Sequence, residues 1–148
     1  MAEAVQNSLR YMTNDDLHAM VTYLRDVPAR ADGPAVVPAS LRIDMSGNDA
    51  LGARIFAQAC AGCHLPDGTG RQSSWAALGG DHSLGDPAGT NIVQMLEHGS
   101  ELQTDQGLMF MHGFTGAYTH EELAALSNYV IKHFSGGAGT VTAKQFDH

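Results

Sequence analysis

The chain has 148 residues, 43% of them hydrophobic, which is enough for one domain of ordinary size with a real core. Its 16 acidic against 8 basic residues leave a formal charge of −8, which argues against any role resting on a basic face, nucleic-acid binding first among them. No stretch approaches the roughly 20 consecutive apolar residues of a membrane span, and Met1-Ala2-Glu3 opens no charged-then-apolar secretory leader.

The first predicted element is a helix. Thr13-Asn14-Asp15-Asp16 has the spacing of a capping box, in which the Thr13 hydroxyl meets the orphan amides and Asp16 reaches back. Leu17, Met20, Val21 and Leu24 follow at helical spacing, and Pro28 stops the run. Residues 1–27 are therefore expected as an N-terminal helical segment. Residues 28–45 read as a proline-rich linker, punctuated by Pro28, Gly33, Pro34 and Pro38. A second helix is expected to start at another capping-box spacing, Ser46 to Asp49, and to run through Leu51, Ile55 and Phe56 into Cys60.

At the end of that helix stands Cys60-Ala61-Gly62-Cys63-His64. Two thiols three positions apart on a helical turn can reach the two vinyl groups along one porphyrin edge and form thioethers, and the following histidine is then carried under the iron as proximal ligand. Rival readings of the motif fail on counting. A structural zinc site wants four Cys or His ligands, commonly two such pairs, and the chain has no third cysteine. A thioredoxin-like redox pair wants a preceding strand, whereas residues 51–59 read as helix. The expected cofactor is one covalent haem c.

Residues 65–89 are rich in glycine and turn residues and read as a loop along one edge of the cofactor. Within it Trp75 is expected as a crevice wall, and Arg71 as a partner of a haem propionate or a solvated side chain. Asp86-Pro87 signals entry to a short helix carrying Ile92, Val93, Met95 and Leu96, with Gly99 at its C-terminal stop. Residues 100–117 read as loop and hold Met109 and Met111. Met111 lies 47 residues beyond His64, where a chain closing over the haem would return. It is the preferred distal ligand, with Met109 and His112 as competitors. Thr119-His120-Glu121-Glu122 repeats the capping box before a last helix whose stripe is Leu123, Leu126, Tyr129, Val130 and Phe134. A short, loosely ordered tail, 138–148, is expected to close the chain.

Two of these helices resemble each other. Thr13, Asp15, Asp16, Leu17, Ala19 and Tyr23 are matched by Thr119, Glu121, Glu122, Leu123, Ala125 and Tyr129 at a constant offset of 106 residues. Convergence of two amphipathic helices is one explanation. The other is that residues 1–27 are the last helix of a preceding, similar domain.

From Gly52 to Phe134 the chain resembles a class I cytochrome c domain: Gly52 and Phe56 on one helix, the Cys-x-x-Cys-His run, a methionine-bearing loop, then Leu126 and Tyr129 on the last helix. The resemblance implies an all-α fold in which the two terminal helices of residues 46–137 cross closely at the glycine, with the phenylalanine and tyrosine packed at the crossing. More narrowly, Met111-His112-Gly113-Phe114, Thr119-His120-Glu121-Glu122-Leu123 and Asn128-Tyr129-Val130 are similar to the C-terminal haem domain of multihaem cytochrome subunits serving bacterial membrane-associated alcohol, aldehyde and gluconate dehydrogenases. That family usually has proline after the distal methionine, where this chain has His112, and a proline pair where it has Ala76-Ala77. The backbone carbonyl that accepts from the proximal histidine there corresponds to Ala76.

The implied function is one-electron transfer through a His64/Met111-ligated haem, not catalysis. Partners would be a dehydrogenase subunit or other redox protein, further cytochrome domains, and the membrane surface through those partners. The implied location is the periplasm or the periplasmic face of the inner membrane, because attachment through this motif takes place outside the bacterial cytoplasm. The alternative is a peroxidase-like or gas-sensing haem protein with an open or bis-His distal site.

Overall fold

A computed structural model of the chain describes residues 8–28, 48–71, 73–86, 88–104 and 107–147. The predicted Ser46 cap, Pro87 and all of the predicted linker after Pro28 lie outside these residues. The chain divides into two units. One holds helix α1 (Asn14–Asp26) and a hairpin of β1 (Ser100–Thr104) and β2 (Gly107–Met111). The other holds α2 (Asn48–Ile55), α3 (Ala61–His64), α4 (Thr90–His98), α5 (His120–Val130) and the C-terminal tail.

Helix α1 begins as its sequence dictates. The Asp16 amide donates to Thr13 Oγ1 at 3.2 Å and the Thr13 amide donates back to Asp16 Oδ2 at 3.1 Å, so two orphan donors are satisfied reciprocally. Its apolar stripe is not buried: Leu17 and Met20 are each 38% exposed and Leu24 is 63% exposed.

The second unit is built on the crossing of α2 and α5. Helix α5 opens on the same reciprocal cap, between Thr119 and Glu122, at 3.2 and 2.9 Å. Here the stripe is covered, and Leu123, Leu126, Tyr129 and Val130 are all buried. Contact this close needs a missing side chain, and Gly52 supplies it. A Cβ at Gly52 would collide with the Ala125 carbonyl and stand 2.6 Å from the Tyr129 Cβ. Phe56, one turn on, packs between Tyr129 and Phe134 with ring centroids 5.6 and 5.2 Å away. Lys132 donates to both oxygens of Asp49, at 2.8 and 3.1 Å, across the same crossing. Helix α4 contributes Ile92, Val93 and Leu96 to this core. Its entry is held by Asp86, whose carboxylate accepts from the Ala88 and Thr90 amides at 3.0 and 2.7 Å, which keeps that carboxyl below its usual range.

The structure corrects two expectations. The fold is predominantly helical rather than all-α, because Ser100–Thr104 and Gly107–Met111, expected as loop, form an antiparallel pair in which Ser100 pairs with Met111 and Leu102 with Met109. The Thr104 hydroxyl donates to the Gly107 carbonyl at 2.8 Å and closes the turn. Alternation of side chains is then automatic: Met109 and Met111 share one half-buried face, while Leu108 and Phe110 point the other way and are 51% and 63% exposed. The tail is the second correction. Val141 and Phe146 are each 4% exposed, Asn128 exchanges two hydrogen bonds with the Val141 backbone at 2.8 and 2.9 Å, and Gln145 donates to the Ala88 carbonyl at 2.8 Å. Two buried apolar anchors and satisfied backbone groups hold a segment that reads as polar in composition.

Candidate functional site

Helix α2 runs without a break into a widened π turn, Phe56–Cys60, and then into α3. That turn places Cys60 on the buried side, 8% exposed, and leaves Cys63 exposed one turn later. Both thiols are free. Burial first, and then the neighbouring Cys63, push the Cys60 thiol up to about 11, the opposite of what an activated redox cysteine needs. Among the described residues no group of three or more His, Cys, Asp or Glu side chains is placed to hold a metal ion.

The chain turns sharply after His64. Leu65 has a φ of 64°, the one positive value outside glycine among the described residues, and such a conformation persists only where its surroundings over-determine it. They do so here through the end of α3. The Gly70 amide donates to the His64 carbonyl at 3.0 Å, the Arg71 amide to the Cys63 carbonyl at 2.8 Å, and Arg71 Nε to the Gly62 carbonyl at 2.7 Å. Three successive carbonyls that a helix end would otherwise leave unpaired are satisfied by two residues of the returning loop. Arg71, expected as a propionate partner or a solvated side chain, is thus a helix cap as well.

The same loop brings the Ala76 carbonyl to His64. The Leu78 amide donates to the Gly68 carbonyl at 2.8 Å and the Ala76 amide to the Ser73 carbonyl at 3.1 Å, and His64 Nδ1 lies 2.7 Å from Ala76 O. A carbonyl can only accept, so Nδ1 carries a proton, and in the neutral imidazole Nε2 is then the nitrogen with the lone pair. The backbone thereby selects the tautomer that a metal-binding imidazole requires and fixes the plane of the ring. Trp75, on the 3-10 turn Ser74–Ala76, is 60% exposed.

These residues fit a covalently held haem: two unpaired thiols one turn apart, and an imidazole beside them whose free lone pair is oriented by a backbone acceptor. The structure joins Arg71 to the Cys63 carbonyl and Ala76 to His64, with Cys60 one turn before Cys63 and Trp75 next to Ala76 in the chain. Met111, Met109 and the exposed His112 lie on the hairpin and just after it, and the two methionines occupy one face of β2. What sequence reasoning missed is the capping role of Gly70 and Arg71. The signal was present in a glycine followed by a basic residue shortly after a helix end, but only the returning loop gives it meaning.

Comparison with known proteins agrees with this chemistry. Residues 50–133 match the family model for cytochrome c. Over 97% of its length the chain is 30% identical to the fructose dehydrogenase cytochrome subunit of Gluconobacter japonicus and 30% identical to the alcohol dehydrogenase (quinone) cytochrome c subunit of Gluconacetobacter polyoxogenes. It is 26% identical to the gluconate 2-dehydrogenase cytochrome c subunit of Pantoea cypripedii. The chain spans about a third of those relatives, 34%, 32% and 35% of their lengths. Among the described residues no helix is long and apolar enough to cross a membrane.

Proposed function

Because the chain belongs to the cytochrome c family, we propose that it is a one-electron carrier that receives electrons from a dehydrogenase partner and passes them toward a respiratory chain at the periplasmic face of the inner membrane. Cys60 and Cys63 would hold a single haem c by thioether bonds, and His64 Nε2 and Met111 would bind its iron. The bound iron supplies the one-electron couple. The protein supplies its setting. The Ala76 carbonyl orients His64, the cap formed by Gly70 and Arg71 holds the end of the motif helix, and the core of Phe56, Tyr129 and Phe134 packs at the α2–α5 crossing that leads into the motif. A neutral thioether from Met111 would favour the ferrous state and raise the potential. The observation that carries this reading is the 2.7 Å contact from His64 Nδ1 to Ala76 O, which leaves Nε2 available for iron.

The partner class rests on the dehydrogenase cytochrome subunits that the chain resembles over nearly its whole length. The exposed stripe of α1, set beside the covered stripe of α5 with the same reciprocal cap, supports a further reading. On it, residues 1–27 are the closing helix of a preceding haem domain, joined by the 28–45 linker to the cytochrome domain of residues 46–137.

An optical spectrum of the oxidised protein tests the ligation. A weak far-red sulfur-to-iron band is expected, together with a mass increase of one haem. A spectrum of open or bis-His iron would instead favour the peroxidase-like or gas-sensing alternative. A chain beginning at Leu41 should keep the haem spectrum. If it does not fold, residues 1–40 belong to the cytochrome core and the reading of α1 is wrong.

A further inference from the structure

A thioether is a neutral ligand on a flexible side chain, so what keeps it in place is the backbone that carries it. Along the chain β1 starts at Ser100, directly after Gly99 at the C-terminal stop of α4, and β2 ends at Met111, two residues before Gly113. At that end the Gly99 amide donates to the Met95 carbonyl at 2.9 Å, and the Phe114 amide donates to the Leu96 carbonyl at 2.7 Å. The Thr115 hydroxyl donates to the Glu97 carbonyl at 3.0 Å. The Leu96 and Glu97 carbonyls belong to the last turn of α4, where a helix end runs short of intrahelical donors. Gly113 lets the two segments meet, since a Cβ there would stand 2.5 Å from the Glu97 carbonyl oxygen. The local turn that follows, in which the Ala117 amide donates to the Phe114 carbonyl at 3.0 Å, ties residues 114–117 only to themselves.

We propose that Thr115 is a positioning residue for the distal ligand: with the Phe114 amide it clamps the segment after Met111 onto the C-terminal carbonyls of α4 and so restrains the chain four residues beyond the ligand. This rests on the Met111 reading above. Thr115 is exposed, so its side chain contributes a directed hydrogen bond rather than core packing. Loss of the hydroxyl frees the segment to sample positions in which the thioether is withdrawn.

The test is displacement of the distal ligand by imidazole in the ferric, haem-matured full chain, followed by loss of the far-red band. Losing one net hydrogen bond shifts such an equilibrium about three- to tenfold, so Thr115→Val should take up imidazole about three- to tenfold more tightly than the unaltered chain. Thr115→Ser, which restores the hydroxyl, should return to the unaltered value. Lys132→Ala, which loosens the α2–α5 crossing far along the chain, should lower stability to urea without changing imidazole affinity. Unchanged affinity in Thr115→Val overturns the clamp, as does an equal rise in Lys132→Ala, which would make the effect one of general stability. If the unaltered chain shows no far-red band, the Met111 ligation itself is wrong and the clamp falls with it. A band with an unmoved Thr115→Val leaves the ligation standing and removes the clamp alone.

Discussion

Tyr129 and Gly52 meet with no space for a side chain between them: a first carbon on Gly52 would stand 2.6 Å from the Tyr129 Cβ. The α2–α5 approach is therefore set by backbone against side chain and cannot be relieved by a rotamer change. Gly52→Ala should destabilise the protein by about 1–3 kcal/mol through overpacking, and Gly52→Leu by more. Urea denaturation measures this directly, and a neutral Gly52→Leu would contradict the crossing.

The aromatic contacts at the same crossing carry a different kind of cost. Phe56 is 3% exposed and Tyr129 8%, and each fills volume that its neighbours cannot collapse into. Phe56→Ala and Tyr129→Ala should each cost about 3–5 kcal/mol. Because these residues pack at the α2–α5 crossing and take no part in the hydrogen bond that orients His64, variants that fold should keep the wild-type haem spectrum.

His133 stacks on Tyr129, with ring centroids 5.2 Å apart and planes 11° from parallel, and meets Phe134 edge-on at 4.5 Å. Burial lowers its pKa from the ordinary 6.5. The unfolded chain therefore takes up this proton at a higher pH than the folded one, and stability present above about 6.5 is lost as pH falls through the folded value. His133→Phe keeps the stack and removes the titration. Its urea midpoint should fall less than that of the unaltered chain between about pH 7.5 and 5.5, and equal falls would place the sensitivity on another group.

On the proposed ligation, Met111→Ala should abolish the far-red band and lower the reduction potential, whereas Met109→Ala should leave both nearly unchanged. Both methionines lie on one face of β2, two residues apart. Orientation alone does not separate them, and a reversed pattern would transfer the role to Met109.

The tail is an anchored element. Phe146, 4% exposed, should cost about 3–5 kcal/mol when cut to alanine. Asn128→Ala removes both bonds to the Val141 backbone and should cost about 1–3 kcal/mol. Thermal denaturation reads both, and unaltered melting of either variant would mean that the tail adds nothing to the fold.

Much of this molecule is legible in short windows of sequence. The five residues from Cys60 to His64 are contiguous, and their chemistry depends only on spacing along one turn. The caps at Thr13 and Thr119 are also local, since each closes on itself three residues later, and both form as their spacing predicts. The entry and stop of α4 follow from Asp86 and Gly99 for the same reason.

Other features required segments distant in sequence to meet. Ser100–Thr104 and Gly107–Met111 are short segments that become strands only when each finds the other, because a ladder satisfies backbone groups that neither segment can satisfy alone. The tail has too few apolar residues to signal order, and it is held because Val141 and Phe146 find a surface prepared by other elements. The same limit applies around His64. Its identity is written in the chain, but the tautomer it presents depends on Ala76 O, twelve residues away, delivered by a loop whose glycines and Arg71 cap the motif helix. Local spacing specifies which chemical groups are present, whereas the folding back of the chain sets the hydrogen bonds that orient them.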